Sequence, residues 1–378
     1  MSKNPLNKYK RLVIKIGSSL LIDAKSGSLR LDWLTSIVND IAELKKIGME
    51  IVIVSSGAVM LGREILGLRN KKLPLEKLQA SASVGQIALL QAWGAQFNKY
   101  EINVGQILIT PDITEQRRRF LNAKITISTL LELGAVPIIN ENDSVATAEI
   151  RYGDNDRLSA RVASMVEADC LLILSDVDGL YTHPPQSEVK GEHIPLVKFI
   201  TPKIEAMAGE AASHLARGGM KTKVEAAKIS TLSGTDMIIA KGAVLNPIKD
   251  LANSKYTLFV ANTCPKAARK RWILGTLEIT GKIYIDDGAV KALLNGNSLL
   301  PIGVRRVEGE FSRGDIISIF DEQNVEIARG LAGMSEKQAD IAKGKQSGAI
   351  IDLFEGITRT ELVHADNLVL LNNSEKKQ

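Results

Sequence analysis

The sequence predicts a three-layer α/β sandwich on a mostly parallel sheet, followed by a small β-rich barrel, and three observations support this. Six short runs rich in Val, Ile and Leu alternate with helical patterns as far as Ala240, the mark of a parallel sheet. These runs are near-continuously apolar, as in a sheet covered on both faces. From Ser254 onward the texture changes to short strands separated by turns.

The first strand is RLVIKIG (Arg11 to Gly17), β-branched and apolar, ending in small residues. Leu31, Leu34, Ile37, Val38, Ile41, Leu44 and Ile47 then recur at helical spacing, with Asp32 the expected N-cap and Gly48 the expected stop. EIVIVSSGA (Glu50 to Ala58), VGQILIT (Val104 to Thr110), AVPIIN (Ala135 to Asn140), DCLLILSD (Asp169 to Asp176) and DMIIA (Asp236 to Ala240) are the remaining strands. Near Arg269, Lys270, Arg271 and Trp272 a basic stretch leads into the second domain. Within that domain, Gly314 to Gly330 reads as strand, turn, strand. The polar end NNSEKKQ is expected to be disordered.

At 378 residues with 45% apolar content, the chain exceeds one ordinary domain. Cys170 and Cys264 stand far apart and no apolar leader precedes the first strand, so the expected compartment is the cytoplasm. No run approaches the ~18 apolar residues of a membrane helix. A net charge of +5 leans towards anionic ligands, and 4% aromatics leaves few stacking platforms for single strands. A small anionic substrate is the expectation.

In an open α/β sheet the ligand lies beyond the carboxyl ends of the strands. Lys15 to Ser19, Ser55-Ser56-Gly57, Asn140 to Asp143 and Ser175-Asp176 each follow or finish a strand, and these clusters are expected to converge. Neither G-x-x-x-x-G-K-[ST] nor G-x-G-x-x-G occurs, so a nucleotide site is of another kind. Lys15 with Gly17, Ser18 and Ser19 suits a phosphate, whose other reading is a lysine snorkelling at a strand end. In ARGGMKTKVEAAK (Ala216 to Lys228), paired glycines open a helix with Lys221 and Lys223 in its first turn. The macrodipole disfavours cations there, a misfit that a bound phosphate would relieve. Ser56, Gly57 and Ala58 offer a further cluster of backbone donors.

NENDSVATAEIRYGDNDRLSA (140 to 160) holds five carboxylates and three amides without one Cys or His. An EF-hand spacing is absent. Recognition of an ammonium by Asp143 or Asp154 and of a carboxylate by Asn155 fits better, with Asp156 holding Lys15 and Lys223. The four His residues lie outside these clusters. Phosphoryl transfer to a carboxylate needs no base, because that acceptor is ionised at neutral pH.

In order and spacing, VIKIGSS, IVIVSSGAV, GQILIT, RFLNA, NENDSVATAEI, GDNDRLSA, SDVDGLYT, GGMKTK, RKRWI and FSRGD resemble the motifs of the amino acid kinase family with a C-terminal PUA domain, over nearly the whole chain. The resemblance implies the amino acid kinase fold over residues 1–256, a basic linker over 257–276, a PUA-like domain over 277–356, and a C-terminal segment and tail over 357–378. It implies ATP-dependent phosphorylation of the γ-carboxyl group of L-glutamate to γ-glutamyl phosphate, the first step of proline biosynthesis. Lys15, Lys223 and Asp156 would be catalytic, and Ser56, Gly57, Ala58, Asp143, Asp154 and Asn155 would bind glutamate. Lys15, Gly17, Ser18, Ser175, Asp176 and the segment Arg217, Gly218, Gly219, Met220, Lys221, Thr222, Lys223 would line the ATP site. Mg²⁺ would ride on phosphates and water rather than on protein side chains.

Ser55 and Ser175 stand where Thr is familiar, and Arg217 where a small or Thr residue is more usual. Feedback inhibition by L-proline, a γ-glutamyl phosphate reductase as partner and a homo-oligomer are also implied. Aspartate or N-acetylglutamate as the acceptor, and RNA binding through the PUA-like region, are the alternatives.

Overall fold

The first long apolar run is buried from Leu12 to Ile16 in the strand β1 (Arg11–Ile16), which lies inside an eight-stranded sheet. The computed structural model describes residues 4–69, 73–110, 117–145, 154–183, 191–209, 219–275, 279–354 and 360–371. Two compact units divide the chain, Met1–Pro265 and Lys266–Gln378.

In the first unit β1 is followed by α1 (Ser18–Leu21), α2 (Leu31–Lys46), β2 (Glu50–Ser55), α3 (Ala58–Ile65), α4 (Leu75–Phe97), β3 (Val104–Ile109), α5 (Arg117–Glu132), β4 (Val136–Glu141), α6 (Asp154–Met165) and β5 (Cys170–Ser175). The small strands β6 (Leu180–Tyr181), β7 (His193–Ile194) and β8 (Leu196–Val197) precede α7 (Pro202–Gly209), α8 (Met220–Leu232), β9 (Asp236–Lys241), α9 (Pro247–Asp250) and β10 (Tyr256–Phe259). The sheet order is β3, β4, β2, β1, β5, β9, β10, β8. All six strands expected from the apolar runs are present, and they pair in parallel. Beyond them, β10 adds an antiparallel strand beside β9, with β8 at the edge.

Alternate residues of β1 enter different cores, as a two-residue period requires. Leu12, Ile14 and Ile16 pack with Trp33, Leu34 and Ile37 of α2, whereas Val13 packs with residues of α6 and α8. Each such side chain, fully buried, contributes roughly 1.5–3 kcal/mol. Lys15 shares the register of Val13 and so belongs to the face covered by α6 and α8.

The chain leaves β1 towards β2 on one side, and leaves β5 towards β9 on the other. This reversal puts the crevice at the carboxyl ends of β1 and β5.

Two local expectations need correction. Arg30 occupies the N-cap of α2 without a side-chain cap, and Asp32 is the helix's second residue, where its charge still complements the helix dipole. The stretch 257–276, expected as a basic linker, is built into elements: β10 carries Thr257 to Phe259 and Pro265–Gly275 forms a helix, α10.

The second unit continues with β11 (Gly281–Ile285), α11 (Asp287–Leu294), β12 (Val304–Gly309), β13 (Ile316–Phe320), β14 (Glu326–Leu331), α12 (Glu336–Ala342), α13 (Ser347–Leu353) and β15 (Leu368–Leu370). Its sheet runs β12, β11, β13, β14, β15, so residues 368–370, expected in a separate C-terminal segment, close that sheet's edge. Among the described residues no helix is long and apolar enough to cross a membrane.

The helices α3 and α4 cross with their backbones almost touching. A Cβ on Gly62 would lie 1.7 Å from the Ser81 carbonyl oxygen, and one on Gly85 1.8 Å from that of Ala58. Backbone cannot yield as a flexible side chain can. Gly85→Ala is therefore expected to destabilise the protein by about 3 kcal/mol or more, read as a fall in the thermal unfolding midpoint, while Gly134→Ala, where a Cβ meets nothing within 4 Å, produces a much smaller fall set by its positive φ of 77°.

Candidate active site

One buried carboxylate joins three distant parts of the chain. Asp156, the third residue of α6, is 0% exposed, and its Oδ1 lies 2.6 Å from Lys15 Nζ on β1 while its Oδ2 lies 3.2 Å from Lys223 Nζ on α8. The Thr222 hydroxyl donates to the same Oδ2 at 2.8 Å. Lys15 is 8% and Lys223 5% exposed, so both ammonium groups are largely out of water and depend on Asp156 for compensation.

The titration of this cluster follows from its burial. Burial drives the Lys15 ammonium below the usual lysine range; Asp156 opposes that fall, the nearby Lys223 charge adds to it, and Asp176 also favours the charged form. Burial acts on Asp156 in the direction of protonation, but Lys15 and Lys223 outweigh it and hold the carboxyl below its ordinary value. The carboxylate therefore stays ionised.

Sequence explains each placement. Acids at the start of α6 complement its dipole. Lys221 and Lys223 oppose the dipole of α8, and the misfit read as a sign of phosphate is answered in part by Asp156 itself, which pairs with Lys223. Lys221 is exposed. Gly219 caps α8 without a side chain, and a Cβ on Gly17 would lie 3.8 Å from Lys15 Nζ and 4.0 Å from the carbonyl oxygen of Leu174, setting Gly17 between the ends of β1 and β5. Ser175 ends β5, its hydroxyl donating to Asp176 Oδ1 at 2.8 Å.

Next to Asp156 along α6, Asn155 opens a second group. Its Nδ2 donates to Ser56 Oγ at 2.6 Å and to Asn140 Oδ1 at 3.2 Å. Asn140 Nδ2 donates in turn to Gln86 Oε1 at 2.8 Å. Ser56 is tied to the end of β1 through its amide, which donates to the Ile16 carbonyl at 3.2 Å, and Gly57 turns the chain into α3 with φ of 107°. Ala58 is buried at the start of that helix. Asp143 follows β4, and burial raises its carboxyl to about 6.

Of the residues expected at the site, Lys15, Gly17, Ser56, Asn155, Asp156, Thr222 and Lys223 are brought together by these contacts. Ser18 begins α1 directly after Gly17, and Met220 begins α8. Asp154 opens α6, but its side chain lies outside the described residues, as do Arg217 and Gly218. Gln86 was not foreseen: an amide in a 23-residue helix carries no local signal, and only the close crossing of α3 and α4 delivers it. Among the described residues no group of three or more His, Cys, Asp or Glu could hold a metal ion.

Fold and site together define an α/β kinase with a buried, charge-rich cluster at the carboxyl edge of its sheet. The chain belongs to the amino acid kinase family, whose pattern matches residues 10–241; a PUA domain pattern matches residues 281–354. It is 52% identical over 377 residues to a glutamate 5-kinase of Agrobacterium fabrum, covering 100% of this chain and 97% of that one. A glutamate 5-kinase of Sinorhizobium fredii is 53% identical over 367 residues, 97% of this chain and 93% of its own. Among solved structures, a carbamate kinase of Giardia lamblia bound to AMP-PNP is 18% identical with a TM-score of 0.49, over 67% of this chain and 99% of that one.

Asp156→Asn removes the only charge that Lys15 and Lys223 share in the contacts above. Loss of one partner of a buried ion cluster costs about 3–5 kcal/mol. Denaturant titration is expected to show a loss of that order at neutral pH, and an unchanged midpoint would mean that the cluster is not the tie described.

Proposed function

We propose that this chain transfers the γ-phosphoryl group of ATP to the γ-carboxylate of L-glutamate, giving γ-glutamyl phosphate and ADP, the first step of proline biosynthesis. The observation that carries this reading is the Lys15–Asp156–Lys223 cluster at the carboxyl edge of the sheet, one residue from the Asn155–Ser56 pair. Full-length relatives half identical in sequence and named glutamate 5-kinase support it.

In this reaction a γ-carboxylate oxygen attacks the γ-phosphorus, and the bond from that phosphorus to the oxygen bridging it to ADP breaks. The acceptor is already ionised near neutral pH, so no base is required. The obstacle is repulsion between two anions. Lys15 and Lys223 face it from β1 and α8, where burial makes each positive charge count for more than it would in water. Asp156 keeps the two ammonium groups together when no substrate is present and fixes their direction.

On the acceptor side Ser56 and Asn155 hold glutamate, with the backbone of Gly57 and Ala58, and Asp143 takes the α-ammonium. Ser175, Asp176, Gly17, Ser18 and the start of α8 from Gly219 line the nucleotide. Mg²⁺ has no carboxylate cage among the described residues. The site fits it only as an ion carried by the phosphates, the usual habit of Mg²⁺ at nucleotide sites.

Incubation with L-glutamate, ATP, Mg²⁺ and hydroxylamine is expected to yield γ-glutamyl hydroxamate; turnover confined to N-acetylglutamate or aspartate would reassign the acceptor. Lys223→Ala is expected to lower kcat at least 100-fold, as loss of a transition-state charge does, with the KM for glutamate changed far less. The opposite pattern would take Lys223 away from the transferring group.

The pH dependence has a definite sign. Asp143, with its carboxyl near 6 in the free protein, is neutral at lower pH and then holds an ammonium poorly. The kcat/KM for glutamate should thus fall as pH drops through about 6. In Asp143→Asn that limb should vanish and the KM should be raised throughout. A limb unchanged in Asp143→Asn would assign it to another group.

A further inference from the structure

We propose that Gln86 is a positioning residue for the acceptor side of the site: through Asn140 it sets the polarity of an amide chain that leaves the Ser56 hydroxyl proton free to point at a carboxylate. The inference rests on the glutamate reading above and adds a residue that touches no substrate.

A side-chain amide has a donating end and an accepting end, and its neighbours decide which faces which way. Gln86 Oε1 accepts from Asn140 Nδ2 at 2.8 Å, so the Asn140 oxygen faces the other way and accepts from Asn155 Nδ2 at 3.2 Å. The same Asn155 nitrogen reaches Ser56 Oγ at 2.6 Å. An NH₂ group cannot accept, so Ser56 Oγ is the acceptor in this contact and its own proton remains for a partner elsewhere. An anionic γ-carboxylate is such a partner.

Reversing Asn140 would set two NH₂ groups against each other; Asn155 could answer only by turning its oxygen to Ser56, where the hydroxyl would then donate inward, and to the Ser55 carbonyl, which its Nδ2 now reaches at 3.4 Å. The Gln86 acceptor and the Ser55 carbonyl oppose this together. Gln86 is 9% exposed and follows Gly85, the residue that locks α4 onto Ala58 of α3, so its backbone is anchored to the same helix start that presents Ser56.

The test uses Gln86→Met, close in volume but without an acceptor, and Gln86→Glu, which keeps one. Gln86→Asn, too short to reach, serves as a second loss variant should Gln86→Met not fold. Either loss variant is expected to raise the KM for glutamate about tenfold, the effect of one mispaired buried hydrogen bond, with kcat and the KM for ATP within about twofold of wild type.

Gln86→Glu is expected to stay within about threefold of wild type in all three constants. In a Ser56→Ala background, loss of the Gln86 acceptor should add less than about threefold, because both changes act on one hydroxyl. A loss variant with unchanged glutamate KM, an equal rise in the KM for ATP, full additivity with Ser56→Ala, or a Gln86→Glu as impaired as Gln86→Met would each overturn the relay. If the wild-type protein uses another carboxylate in place of L-glutamate, the substrate assignment fails while the relay is read from the KM of that acceptor.

Discussion

The structure of the catalytic unit turns on one carboxylate. Asp156 sits fully buried between Lys15 and Lys223, residues carried by a strand, a helix and a second helix that are far apart in the chain. Lys15 in particular needs that partner, since desolvation already weakens its hold on its proton. The ion cluster therefore requires α6 and α8 to lie side by side over β1, and the apolar residues beneath them, Val13 with Leu158, Val162, Val224 and Ala227, satisfy that requirement by packing. Hydrophobic burial supplies the stability, and the charges select the one register in which Lys15, in step with Val13, meets its partner.

On the proposed reading, this arrangement accounts for a kinase whose described site residues include no histidine. On the proposed role of the lysines, the expensive part of bringing a nucleotide tail against a carboxylate is electrostatic, and most of that cost is met during folding, when they are desolvated and aimed. A solvent-exposed lysine would have to shed water and lose rotamers at the moment of reaction. The amide group beside the cluster follows the same logic: Asn155, Asn140 and Gln86 hold the Ser56 hydroxyl in one orientation through their hydrogen bonds before any substrate arrives.

Much of this was legible in the sequence, and the exceptions have physical reasons. Strands such as RLVIKI and CLLILS could be read because a strand covered on both faces must be apolar throughout. Leu196–Val197 and Tyr256–Phe259 escaped notice: the first is two residues long, and the second, YTLF, alternates between half-buried and buried positions and pairs antiparallel, outside the strand–helix–strand rhythm. Lys15 stood out because an ammonium inside an apolar strand demands a partner, and Asp156 because too many acids crowded one segment. Gln86 gave no such signal. Its importance is created by a glycine-mediated helix crossing whose cause, two backbones meeting at Gly62 and Gly85, is a tertiary fact.

The net charge of the cluster is also informative. Two ammonium groups against one carboxylate leave a single positive charge, and the amino ends of α6 and α8 add roughly half a charge each. Asp176, whose charge also reaches Lys15, takes back part of that excess, so what is left falls short of neutralising a triphosphate tail. On the proposed reaction, the remainder would come from a cation that travels with the nucleotide, as Mg²⁺ does at nucleotide sites. Had a second acid stood where Thr222 donates to Asp156, the lysines would be fully cancelled and the site would have no excess to offer. A hydroxyl there instead strengthens the carboxylate's ionised form while leaving the positive excess intact, so the choice of Thr over an acid at that position sets the balance between a site that is stable when empty and one that still draws in an anion.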